Sequence, residues 1–117
     1  MSLHLELKEQ IEAAYGAQLP AGVRIKQDAL LLEFDSGLVM ELRFASADEY
    51  ALAWLWGEAE LRIDTAPLHL GLSTHPHHLH DEEGLVRADP LTMPGAAPWD
   101  NVRKLIDAVL LDPLLHS

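Results

Sequence analysis

The sequence contains no cysteine, which excludes disulfides, zinc–thiolate centres and thiol nucleophiles together. Any metal would have to be held by imidazole, carboxylate or carbonyl groups. Basic residues are scarce: eight Lys and Arg stand against nineteen Asp and Glu, a net charge of −11. An acidic surface repels nucleic acid and anionic membrane at long range, because phosphate contacts need cations to displace counterions. DNA binding by the chain alone is therefore disfavoured, whereas a local basic site or a cationic protein partner stays open. Long apolar runs are also missing. The longest, Tyr50 to Trp56, has seven residues, against the ~20 that a membrane-spanning helix needs. Met1 to Lys8 mixes apolar and polar positions and lacks the continuous apolar stretch of a signal peptide. These absences predict a soluble, cytoplasmic protein with no membrane association.

What is present fits one domain over residues 1–117, with 49% hydrophobic and 23% charged residues, close to globular averages. Ser2 can cap a first helix with the apolar stripe Leu3, Leu7, Ile11 and Ala14, and Tyr15-Gly16 supplies a stop. The period then drops to two. Val23 and Ile25 alternate with Arg24 and Lys26, and Leu30, Leu32 and Phe34 share a face. Asp35-Ser36-Gly37 is a tight-turn signal, after which Leu38, Met40, Leu42 and Phe44 face the core. Tyr50 to Trp56, apolar on both faces, reads as a central strand covered on each side. Leu61 and Ile63 alternate with Glu60, Arg62 and Asp64. The run Asp81-Glu82-Glu83 reads as a solvated turn, and the stretch from Gly84 to Pro98 as a loop rich in proline and glycine. A last helix starts near Pro98-Trp99-Asp100, with the stripe Val102, Leu105, Ile106, Val109 and Leu110, and ends before Pro113. Trp99 reads as its anchor to the sheet. The fold class is α+β: an antiparallel meander sheet of about five or six strands with an N-terminal and a C-terminal helix packed on it.

Histidine is concentrated where regularity fails. Five of the seven histidines lie within twelve residues, at His69, His75, His77, His78 and His80. If residues 77–80 are extended, His78 and His80 share one face, and His77 and Leu79 the other. Two imidazoles at that spacing beside Asp64 suit acid–base chemistry at neutral pH, with Asp64 orienting an imidazole and Arg62 meeting an anion such as phosphate. The same residues suit metal ligation: Asp64, His69, His78 and His80 could hold a divalent ion such as zinc or manganese. No cofactor is expected on the first reading, and a metal is on the second. A third reading gives the histidines no chemistry and makes the chain a non-catalytic acidic interaction protein.

The block from Trp54 to His80 carries an aromatic strand, then Gly57-Glu58, Leu61-Arg62-Ile63-Asp64-Thr65-Ala66-Pro67, His69, and Thr74-His75-Pro76-His77-His78-Leu79-His80. In this it resembles the TumE-type toxin family of bacterial toxin–antitoxin pairs. His75 stands where that family usually has an aromatic residue. The resemblance implies growth inhibition acting through RNA or a nucleotide phosphodiester, in the manner of a ribonuclease, with a helix-turn-helix antitoxin as partner. By resemblance, Arg62, Asp64, His69, His77, His78 and His80 form the site. The negative charge runs against an RNA substrate unless Arg62 and Arg87 make a local positive pocket.

Overall fold

The Ser2 side chain accepts a hydrogen bond from the Leu5 amide at 3.1 Å and so starts α1 (Leu3–Tyr15). The computed structural model describes residues 2–65 and 77–116. After α1, a single 3-10 turn at Gly16–Gln18 leads into β1 (Val23–Lys26), β2 (Ala29–Glu33) and β3 (Val39–Phe44). Then follow β4 (Tyr50–Trp56), β5 (Ala59–Asp64), β6 (His78–His80), β7 (Val86–Ala88) and α2 (Pro98–Leu111). Among the described residues the strands form one antiparallel sheet of seven, in chain order.

The register gathers the apolar residues into rows. Leu30, Leu42, Leu52, Ile63 and Leu79 are successive cross-strand neighbours, and so are Leu32, Met40, Trp54 and Leu61. All nine are at most 1% exposed. Leu7, Ile11 and Tyr15 of α1 and Val102, Leu105, Ile106 and Val109 of α2 join them in one core. Both helices therefore cover the same face. Tyr15 packs edge-on against Trp99 and donates through its hydroxyl to Asp107 Oδ1 at 2.5 Å. Trp54 Nε1 donates to the carbonyl of Pro113 at 2.7 Å and ties down the end of α2.

Three expectations change. The sheet has seven strands, because Val86–Ala88 forms a strand inside the proline- and glycine-rich stretch. Three residues are too few to show a period of two. Tyr50 to Trp56 is central, but among the described residues the helices cover one of its faces only: on the other, Ala51 and Ala53 are half-buried, and Leu55 is 43% exposed. Small side chains on the face away from the helices leave little apolar area that would demand a second layer. The α1 stripe runs through Tyr15, with Ala14 exposed. Trp99 packs against the common core and also meets Tyr15 of α1 edge-on.

Before β1 the chain turns through Gly22, whose φ of +67° is left-handed. A Cβ there would stand 2.6 Å from Glu12 Oε2, the atom that accepts from the Val23 amide at 2.8 Å. That backbone bond lowers the Glu12 carboxyl below its ordinary value, with burial opposing and Lys8 assisting. Its contribution to stability is present above the ordinary carboxylate range and lost as pH falls through the lowered value. Gly37 is also left-handed, at φ +99°, but an added Cβ meets nothing within 4 Å. Gly22→Ala should cost about 1–2 kcal/mol for its backbone and displace Glu12 as well, whereas Gly37→Ala should show the backbone cost alone. Urea unfolding of the two variants checks this; equal destabilisation would deny Glu12 its role in the turn.

Candidate functional site

The face of the sheet that the helices leave open carries the polar rows. Across it, Arg43, Ala51, Asp64, His78 and Ala88 are successive neighbours, followed by the row Glu41, Ala53, Arg62, His80 and Val86. Alternation along β5 and β6 puts Ile63 and Leu79 into the core, so Arg62, Asp64, His78 and His80 must point the other way. Ala51 and Ala53 flank these four side chains on one side of the row, and Val86 and Ala88 on the other.

The four converge. Arg62 Nε donates to Asp64 Oδ2 at 2.7 Å, and Arg62 Nη2 lies 3.2 Å from His80 Nε2. His78 Nε2 is 2.8 Å from Asp64 Oδ1 and 3.0 Å from His80 Nε2. His80 Nε2 is 3.6 Å from Asp64 Oδ2. The rings of His78 and His80 meet edge to face, with centroids 4.8 Å apart. His78 is 1% exposed, while the side chains of His80 and Arg62 are 26% and 50% exposed. The outer pair thus faces solvent and the inner pair holds it.

Donor and acceptor chemistry orders the protons. A guanidinium only donates, so His80 Nε2 accepts from Arg62 and presents a lone pair. A carboxylate only accepts, so His78 Nε2 carries a hydrogen toward Asp64. Beside His80 opens a cleft of about 290 Å³ lined by Glu58, Glu60, Arg62, Asp81 and Glu82. Its Asp, Glu, Lys and Arg side chains are all acidic apart from Arg62.

Of the six residues that the sequence points to, the structure brings four together. His69 lies outside the described residues, as does His75. His77 stands apart: its Nδ1 is 2.9 Å from Asp89 Oδ2, in a buried pair. Arg87 makes no common pocket with Arg62. It is registered with Leu79, on the face opposite Arg62, and its Nε is 3.2 Å from Asp81 Oδ2.

A family model described as Toxin TumE matches residues 5–112. The chain belongs to the TumE toxin family. No curated protein and no solved structure matches it. As a TumE protein it is the toxin of a toxin–antitoxin system, and an antitoxin is its partner. Among the described residues no helix is long and apolar enough to cross a membrane.

Two aspartates of this TumE chain escape a reading of the sequence. Asp81 is buried, not solvated: its Oδ1 accepts from the amides of Glu83 and Leu85 at 3.0 and 2.9 Å and builds the β6–β7 turn. Asp89 Oδ1 accepts from the amides of Leu91 and Thr92 at 2.8 and 3.1 Å. Asp89-Pro90-Leu91-Thr92 is the signal that could have disclosed it, since Asp bonds the backbone two or three residues on. Thr92 also donates its hydroxyl to Asp89 Oδ2 and is bonded to the Tyr50 hydroxyl at 2.6 Å.

Burial, aided by the Asp89 charge and opposed by the Thr92 bond, pushes the Tyr50 phenol up from 10 to about 12. Tyr15 is raised as well, first by burial and then by its bond to the Asp107 carboxylate. These are the two tyrosines of the chain. Their raised values favour folding fully below the unfolded value near 10, and that contribution is lost as pH rises toward the folded value. Tyrosinate absorbance in a pH titration should therefore show no step near 10 while circular dichroism is native. A full tyrosine's ionisation there in the folded state would contradict the buried Tyr50–Thr92 contact.

Proposed function

We propose that this TumE toxin acts on RNA or a nucleotide phosphodiester through Arg62, Asp64, His78 and His80, by histidine acid–base chemistry. The observation that carries the reading is the pair of imidazoles whose Nε2 atoms lie 3.0 Å apart, one beside Arg62 and the other beside Asp64; because a guanidinium only donates and a carboxylate only accepts, His80 Nε2 is the acceptor and His78 Nε2 the donor. His80, at the rim, is the base and His78 the acid. His80 Nε2 takes the proton of a 2′-hydroxyl, O2′ forms a bond to phosphorus, and the bond from phosphorus to O5′ breaks. His78, reacting as the imidazolium, releases its Nε2 hydrogen from Asp64 to the leaving O5′ and ends neutral, giving a 2′,3′-cyclic phosphate and a free 5′-hydroxyl. For a phosphate to enter, the bond between the two imidazoles gives way to one bond from each to the substrate, and the partly exposed His80 is the ring with room to turn. Arg62 offers its charge to the non-bridging oxygens, where negative charge grows. Asp64 holds both Arg62 and His78. The acidic cleft disfavours gripping a long polyanion, so contact is confined to the phosphate at Arg62.

On this reading His80→Ala and His78→Ala should each lower growth inhibition on induction by roughly a hundred-fold or more, with circular dichroism unchanged. The cleavage rate on single-stranded RNA should be bell-shaped in pH, because one neutral and one protonated group are needed together. Full toxicity in the double alanine variant would dismiss the assignment.

A second reading is favoured by one specific observation. Asp64, His78 and His80 each offer a ligand atom, and these atoms all lie within 4.8 Å of one another. That set suits zinc or manganese, with Arg62 fixing the carboxylate through its other oxygen. A metal-bound hydroxide would give a rate that rises with pH to a plateau. Elemental analysis of untagged protein separates the two: near-stoichiometric metal in the wild type that is lost in Asp64→Asn establishes the metal site, and its absence leaves acid–base chemistry.

A further inference from the structure

β6 is three residues long, and its first residue, His78, is the one registered with Asp64. So short a strand makes few ladder bonds and frays from its ends. Loss of that one pair would dissolve the convergence at Asp64. At the turn end of the β6–β7 hairpin, the bonds that Asp81 accepts close the strands. The open end needs its own closure, and the register locates it. His78 pairs with Ala88; one step further, residue 77 comes opposite residue 89.

At that step His77 Nδ1 meets Asp89 Oδ2 at 2.9 Å, and the Asp89 side chain is fully enclosed. Because a carboxylate only accepts, Nδ1 carries the proton. Asp89 is itself held before His77 reaches it, by two amides and the Thr92 hydroxyl of its own turn. Thr92 is fixed in turn to Tyr50, the first residue of the central strand β4. The anchor is thus tied to the middle of the sheet rather than to a loose end.

We propose that His77 and Asp89 form a positioning latch for the site. Their side-chain bond continues the β6–β7 ladder one step past its last strand pair, and it holds His78 where Nε2 meets Asp64 and His80. His77 is then a positioning residue that touches no substrate, although the family resemblance groups it with the reacting residues. The inference rests on the assignment of the site to His78 and His80.

The test compares His77→Asn with His77→Ala in the full-length chain. Asparagine sets a side-chain N–H where Nδ1 stands, so it keeps the donor to Asp89, but it offers no group that exchanges a proton at neutral pH. Nuclear Overhauser contacts between the backbones of Asp64 and His78, and of Arg62 and His80, read the register without any activity measurement. Growth inhibition on induction reads the function. His77→Asn should keep both contacts and stay close to wild type in toxicity. His77→Ala should lose the Asp64–His78 contact and lower toxicity roughly ten- to a hundred-fold, as misplaced reacting groups do. Should His77→Ala fail to fold, His77→Phe fills the volume without the donor and gives the same reading. Equal loss of toxicity in the Asn and Ala variants with contacts intact would show that the ring itself reacts, and would overturn the latch. Retention of the Asp64–His78 contact in folded His77→Ala would overturn it too. Loss of the contact with toxicity undiminished upholds the latch and removes the functional assignment to His78 and His80 instead.

Discussion

Leu30, Leu42, Leu52, Ile63 and Leu79 face one another across five neighbouring strands beneath two helices, each at most 1% exposed. Burying each such side chain is worth roughly 1.5–3 kcal/mol, and a one-residue slip of any strand would turn its share of the row out to water. The register is therefore strongly specified from β2 to β6. Everything on the face away from the helices inherits its place from that constraint. Arg62 and Asp64 flank Ile63, and His78 and His80 flank Leu79, so packing Ile63 against Leu79 brings the four polar side chains together on the opposite side.

The site is thus assembled by the core but held at its margin. β6 and β7 are three residues each, and their hairpin has an aspartate at both ends. Asp81 organises the turn and Asp89 the open end, each with its carboxylate buried and filled with donors. Buried carboxylates survive only when such donors replace their lost hydration. The short hairpin is consequently a polar structure fastened to an apolar sheet, and the reacting side chains stand at the seam.

Charge sets the limits of what such a site can handle. Arg62 faces a cleft with Glu58, Glu60 and Glu82, and the chain as a whole carries −11. Arg87, the other cation near β6, is turned to the far face and paired with Asp81. The site is arranged around one guanidinium and one carboxylate, with two imidazoles between.

The period-two runs from Val23 to Asp64 and the apolar stripes of the two helices were legible in the sequence, because they repeat over several residues and each repeat reports the same buried face. The likeness to TumE toxins was legible in the Arg62–Asp64 and His77–His80 blocks for a different reason: they are contiguous patterns of chemistry. That neither helix would lie on the face of Ala51 and Ala53 was not legible, since an apolar run looks alike with one layer on it or two. Nor was β7, whose three residues are too few for periodicity and whose existence depends on β6 as a neighbour. Sequence alone determined that His78 and His80 share a face, by strand alternation. The same alternation puts His77 on the other face, but only the tertiary structure decided that its partner there is Asp89, twelve residues away, because a side-chain bond across two strands depends on register, and register is set by the core rather than by the residues that make the bond.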